Sequence, residues 1–91
     1  MPLSGIRVID AGSFIAGPAA ATVMGDFGAE VIKIEPPEGD SYRRLGDSPG
    51  NPVSKDDYAW IVESRNKKSI ALDLKQPAAR EVLATLVKGA D

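Results

Sequence analysis

Cysteine and histidine are both absent from the 91 residues. Without cysteine there is no disulfide framework, no thiolate nucleophile and no thiolate metal site. Without histidine, His-based catalytic triads and His-ligated zinc are excluded within this stretch, and no metal site is expected. An excess of positive charge is missing too: 11 Lys and Arg face 13 Asp and Glu, for a net charge of −2. Nonspecific binding of nucleic acid needs a basic face, so that class of partner is not expected. The opening MPLSGIRVID lacks a charged n-region followed by a long apolar stretch, which argues against a secretory leader and for the cytoplasm. No run reads as a membrane segment. What is present, with 43% hydrophobic residues, is the composition of one soluble domain. A lone domain of this length buries only about 60–65% of its unfolded surface and is marginal.

Order along the chain comes from periodicity and punctuation. Ile6–Asp10 is a β-branched run between Gly5 and Gly12 and reads as a strand. In the following stretch Pro18 suits a first helical position, Ala20, Val23, Met24 and Phe27 share one helical face, and Gly28 suits the C-terminal cap. Val31–Glu35 reads as a second strand. The segment 36–57 holds most of the prolines and reads as an irregular connection, and Tyr58–Glu63 fits a helical turn or a strand. Ser69–Leu72 reads as a third strand. Pro77 then opens a second helix with Ala79, Val82, Leu83, Leu86 and Val87 on its buried side and Gly89 as its cap. Short strands alternating with amphipathic helices predict an α/β fold, a Rossmann-like parallel sheet with flanking helices. The last helix is not followed by the strand that a βα repeat calls for, so the chain reads as the N-terminal portion of something longer.

Ligands of open α/β sheets sit beyond the C-terminal ends of the strands. Three segments reach that edge: Ala11–Pro18, Glu35–Asp40 and Asp73–Gln76. Gly12 and Gly17 have the glycine spacing of a P-loop, but Pro18 stands where the phosphate-binding lysine belongs, so nucleotide hydrolysis is unsupported. The dinucleotide fingerprint fails at Phe14. Glu35 resembles the ribose-binding acid of such folds, and without the glycines it reads better as a solvated carboxylate at a strand end. The glycine-proline turn that opens the first helix either brings backbone close to an anion or is simply a tight turn. In the run RNKKSIALDLK, residues 65–75, Arg65, Lys67 and Lys68 read as a solvated or interface turn. On residue chemistry alone Lys75 reads best as a surface lysine that precedes a helix by chance; the other reading is that its ammonium reaches a phosphate at this edge, with Leu72 beside it against a flat base.

The order LSGIRVIDAGSFIAGPAAATVMGDFGAEVIKIEPPEGD, followed by SRNKKSIALDLKQPAAREVLATLVKGAD, resembles the start of family III CoA-transferases, the CaiB/BaiF family. The motifs that carry it are LxGIRVxD, the AGP turn, GAxVIKIExPxxGD and RNKxSIxLDLKxPxxR. They cover nearly the whole chain, apart from about residues 42–61. The family includes formyl-CoA transferase, carnitine-CoA transferases and α-methylacyl-CoA racemases. The resemblance implies a cytoplasmic enzyme with a Rossmann-like CoA-binding large domain, of which residues 1–91 form the N-terminal part, a small domain, and an interlocked homodimer. It implies coenzyme A and acyl-CoA as substrates, a carboxylic acid as acceptor, and transfer through an aspartyl intermediate. Position by position, Ile15 and Ala16 match positions that line CoA, with Gly17 beside them. Leu72, Asp73, Leu74 and Lys75 match the stretch that holds the adenine and phosphorylated ribose. The family's catalytic aspartate falls beyond residue 91, so no catalytic residue is expected within this chain. The racemase branch, with its acid–base pair also downstream, and a non-catalytic α/β binding module are the alternatives. Two positions depart from formyl-CoA transferase. Pro36 replaces an arginine that helps bind CoA, which turns attention to Arg43 or Arg44 for the missing cation. Ile15 replaces a glutamine that acts near the reacting carboxylates, which argues against a small oxalate-like substrate.

Overall fold

The computed structural model describes residues 1–91. Three parallel strands form one sheet in the order β1 (Arg7–Asp10), β2 (Glu30–Glu35), β3 (Lys67–Ala71). The helices are α1 (Ala16–Asp26), α2 (Tyr58–Glu63) and α3 (Pro77–Lys88), with a 3-10 stretch over Ser41–Asp47 that kinks at Arg44. The α/β, Rossmann-like expectation holds, and a sequential 3-2-1 strand order is that of the first half of a doubly wound sheet. No helix is long and apolar enough to cross a membrane.

β1 pairs with β2 from Arg7 opposite Glu30 to Asp10 opposite Lys33, and β2 with β3 from Val31 opposite Lys67 to Glu35 opposite Ala71. Side chains alternate across a strand. Val31, Lys33 and Glu35 therefore share one face of β2, and Ile32 and Ile34 the other. On the first face, near the N-terminal ends of the strands, Ala21, Ala29 and Val31 form the core, with Leu3, Ile6, Val8 and Met24 packed against it. Towards the C-terminal ends the same face turns polar, which sets up the site.

α1 differs from its expected form in two respects. It begins at Ala16, so Pro18 occupies the third helical position. That position still has no intrahelical acceptor for its N–H, so proline loses nothing there. The helix also buries Pro18, Ala21 and Thr22, while Val23 and Phe27 stay about half exposed. Small residues let the helix approach the sheet closely, with Gly25 against Val31, and the Thr22 hydroxyl is satisfied by the carbonyls of Pro18 and Glu63. Gly28 ends the helix as expected: Gly28 N–H donates to Gly25 O at 3.0 Å and Ala29 N–H to Met24 O at 3.1 Å, the paired bonds of a Schellman motif. Its φ is +104°, and an added Cβ would lie 2.5 Å from Met1 Cβ. Gly28→Ala should lower stability by about 1–3 kcal/mol in urea unfolding.

β3 starts two residues earlier than expected, and Tyr58–Glu63 resolves as helix. Part of the connection 36–57 is ordered as the 3-10 stretch, capped by the Asp40 side chain, which accepts from Tyr42 N–H at 2.8 Å. α3 starts at Pro77 and is capped by Gly89 as the sequence suggested. Its apolar face is covered only in part: Ala79, Leu83 and Leu86 are half-buried, and Val82 and Val87 are exposed.

Candidate functional site

An open cleft of about 600 Å³ lies at the C-terminal edge of the sheet. Its walls come from the three segments that follow the strands: Ala11–Ser13, Ile34–Glu38 with Asp40, and Leu72–Lys75. Leu72, Asp73, Leu74, Lys75 and Pro36, five of the residues singled out above, line it together. Ile15, Ala16 and Gly17 do not. Ile15 stands at the start of α1 and lines a smaller neighbouring depression with Phe14, Tyr42 and Ser64. Gly12, Ser13, Glu38 and Asp40 also line the cleft and had not been picked out as site residues.

The 72–75 turn is built to hold one shape. Leu72 N–H donates to Glu35 O at 2.8 Å, extending the β2–β3 ladder by one residue. The Asp73 carboxylate accepts from Lys75 N–H at 3.1 Å, and Gln76 N–H closes on Asp73 O at 2.9 Å. Arg80 reaches back from α3 to the carbonyls of Leu74 and Lys75, at 2.9 and 3.1 Å. Lys75 is left exposed two residues ahead of Pro77, where its ammonium and the positive end of the α3 dipole point to the same class of ligand, an anion. It is the single cation among the cleft-lining residues.

Beneath the cleft lies a buried network of charges. Lys33 is 0% exposed; its ammonium donates to Gly12 O and pairs with Asp40 at 3.1 Å and Asp10 at 3.6 Å. Asp10 also accepts from Gly12 N–H at 3.1 Å and from Lys67 at 2.9 Å, and Lys67 donates further to Pro18 O at 2.8 Å. Glu35 accepts from Arg43 Nε and Nη2, each at 2.7 Å, from the Ser69 hydroxyl and from Asp40 N–H at 2.8 Å. The Arg43 guanidinium carbon sits 3.8 Å from the Trp60 ring centroid. No buried side-chain polar atom lacks a partner.

Several expectations are corrected here. Glu35 is a 4% exposed anchor rather than a solvated carboxylate. Lys67 is not part of a solvated turn, since its side chain is 2% exposed within the network. Arg65 and Lys68 do lie at the surface, paired with Asp26 and Glu30. Arg43 lies outside the cleft lining and is bound to Glu35. Arg44 is also outside the lining and donates to Glu38 O at 3.0 Å. No group of His, Cys, Asp or Glu side chains in the chain has the arrangement to hold a metal ion.

The ion pairs shift the carboxylates. The Arg43 bond, against the opposing effect of burial and helped by the Asp40 N–H and Ser69 hydroxyl, lowers Glu35 to about 2. Burial pushes Asp40 up, but the Tyr42 N–H and the Lys33 ammonium outweigh it, so its net direction is downward. A carboxylate with a depressed folded pKa stabilises the fold above its unfolded value of 4.5 and loses that contribution as pH falls towards 2. Glu35 should therefore contribute up to about 3 kcal/mol at neutral pH. Urea midpoints at pH 7 and pH 3 should differ more for the native chain than for Glu35→Gln.

The model of CoA-transferase family III matches residues 3–91. The chain belongs to that family. It is 48% identical to the alpha subunit of succinyl-CoA–L-malate CoA-transferase from Chloroflexus aurantiacus, matching 100% of this chain and 21% of that protein. It is 42% identical to (R)-2-hydroxy-4-methylpentanoate CoA-transferase from Clostridioides difficile, again over all of this chain and 23% of the relative. Among solved structures, a CaiB/BaiF family protein from Brucella suis superposes with a TM-score of 0.85 at 33% identity, over 99% of this chain and 24% of that one. A protein from Mycobacterium tuberculosis gives a TM-score of 0.83 at 36% identity, with 99% and 24% covered. The chain thus spans about a fifth to a quarter of the length of these family members, and its fold is that of their N-terminal part.

Proposed function

We propose that these residues form the N-terminal part of the CoA-binding large domain of an enzyme that moves coenzyme A from an acyl-CoA to a carboxylic acid. The observation that carries this reading is the convergence of Leu72–Lys75 and Pro36 on one cleft at the C-terminal edge of the sheet. Leu72 and Leu74 offer an apolar rest for a flat base, and Lys75 with the α3 N-terminus offers positive potential to phosphate. Ile15, Ala16 and Gly17, at the start of α1 nearby, would face the more distal part of the same ligand.

The chemistry of transfer is assigned to an aspartate outside residues 1–91. Its carboxylate attacks the acyl thioester to give a mixed anhydride and free CoA thiolate. The thiolate then returns to the aspartyl carbonyl and releases the carboxylate product, and the acceptor acid takes CoA by the reverse steps. The residues described here bind and orient CoA through these steps and carry no bond-making group. The partly uncovered faces of α3 and the exposed Val23, Phe27, Ile61 and Val62 support a larger domain and a homodimer around this portion. The absence of a membrane-crossing helix is compatible with a cytoplasmic enzyme.

The matched relatives named above are transferases, which favours transfer over racemisation. The full chain, given an acyl-CoA and a carboxylic acid, should yield the acid's CoA thioester. If deuterium from deuterated water enters the α-carbon of the acyl-CoA with no acid acceptor present, the transferase reading fails.

A further inference from the structure

The cleft poses an electrostatic problem that the coenzyme A reading must meet. Its floor and walls rest on three carboxylates, Asp10, Glu35 and Asp40, at 4% exposure each. Its rim adds Glu38 and Asp73 against the single cation Lys75. Coenzyme A is a polyanion, and bare carboxylates in a low-dielectric wall repel it over several ångströms. Three cations balance the three buried acids. Arg43 is fixed on Glu35 and Lys67 on Asp10. Lys33 is left to serve both Asp10 and Asp40, and Asp40 has no other cation within ion-pair distance.

Lys33 also sits where it can act on two walls at once. Its ammonium binds Gly12 O in the loop after β1 and Asp40 at the end of the loop after β2. Asp40 in turn faces Phe14 N–H at 3.4 Å and accepts from Tyr42 N–H at 2.8 Å. We infer that Lys33 is a positioning residue for polyanion binding: the internal counter-charge that lets the end of β1, with Asp10, and the loop after β2, with Asp40, form the wall of a CoA cleft. It does not touch the ligand, being fully buried. This rests on the coenzyme A reading of the cleft, and goes beyond it by assigning a source of phosphate tolerance behind the cleft wall, in addition to Lys75 on its rim.

A structural prop and a counter-charge make different predictions. Loss of a prop weakens all ligands of the cleft alike. Loss of a counter-charge weakens them in proportion to their negative charge and is relieved by removing the matching acid. The full chain is titrated with CoA and with 3′-dephospho-CoA, which lacks one phosphate. Lys33→Met should weaken CoA about tenfold and dephospho-CoA about threefold, with the gap narrowing in added salt. Lys33→Met combined with Asp40→Asn should bring CoA back to within about threefold of the native affinity. Asp40→Asn alone, which keeps the side-chain shape and an acceptor for Tyr42, should tighten CoA more than dephospho-CoA; this arm stands even where Lys33→Met fails to fold. Equal losses for the two ligands, no recovery in the double variant, or no charge-dependent gain in Asp40→Asn each overturn the inference. Native protein that binds neither ligand overturns the CoA reading instead, so the two failures are told apart.

Discussion

Arg43→Ala should cost the full chain about 3–5 kcal/mol in urea unfolding, among the largest effects of any single side chain described here. The reason is what it leaves behind. Glu35 is 4% exposed and accepts from Arg43 Nε and Nη2, each at 2.7 Å. Without them the carboxylate keeps only the Ser69 hydroxyl and one N–H, too little for a buried charge. The Arg43 contact with Trp60 adds about 0.5–2 kcal/mol that is lost at the same time. Arg43→Lys should recover only part of the loss, because an ammonium neither spans both carboxylate oxygens nor stacks flat on the indole. Arg43→Ala/Glu35→Gln should be more stable than Arg43→Ala alone. If Arg43→Ala unfolds at the native urea midpoint, the pair is not the clasp between β2, the 3-10 stretch and α2 that its geometry indicates.

Gly12→Val should remove most CoA binding. A Cβ at residue 12 would lie 3.0 Å from Pro18 Cδ, 3.1 Å from Gly17 Cα and 3.4 Å from the Asp10 carboxylate. The first two belong to a ring and a backbone that cannot turn aside, so the Ala11–Ile15 loop and the start of α1 must shift apart by a few tenths of an ångström. Overpacking of this kind costs about 1–3 kcal/mol. The larger effect falls on the cleft, because Gly12 lines it and its carbonyl receives Lys33. CoA affinity should fall by about tenfold or more, the equivalent of 1.4 kcal/mol of lost wall contacts, with circular dichroism still showing a folded chain. Gly17→Ala should be milder, with its added Cβ meeting only Gly12 Cα at 3.3 Å.

Much of the fold was legible because its signals are local. The β-branched runs read at Ile6–Asp10 and Val31–Glu35 mark strands, found at Arg7–Asp10 and Glu30–Glu35, and the Pro77 and Gly89 brackets mark α3. Position after a strand and before a helix put Asp73–Gln76 at the sheet's edge, whereas Leu72–Lys75 as a site segment came only from the family resemblance. Other features were hidden for a common physical reason. Lys33 alternates with Val31 on the buried face, yet nothing adjacent to it in sequence reveals that Asp10 and Asp40 will meet it. Arg43 looked like a free cation because Glu35 and Trp60 reach it from other elements. Burial of Thr22 was not legible because hydrophobic spacing gives no weight to a hydroxyl that finds a carbonyl on α2. The third-strand boundary moved because Lys67 and Lys68 looked like loop, while their charges are met by Asp10 and Glu30 across the sheet. Periodicity locates elements, and long-range charge pairing decides which polar residues they bury.

The cleft between Gly12, Pro36 and Leu72–Lys75 is proposed as the coenzyme A site. Calorimetric titration of the full chain with CoA, native against Lys75→Ala, tests it most directly. The expected result is one site per chain, weakened about tenfold or more by the loss of one charge-assisted bond to phosphate, with the unfolding temperature of the free protein unchanged. Equal affinity for the native protein and Lys75→Ala, or no binding by the native protein, would contradict it.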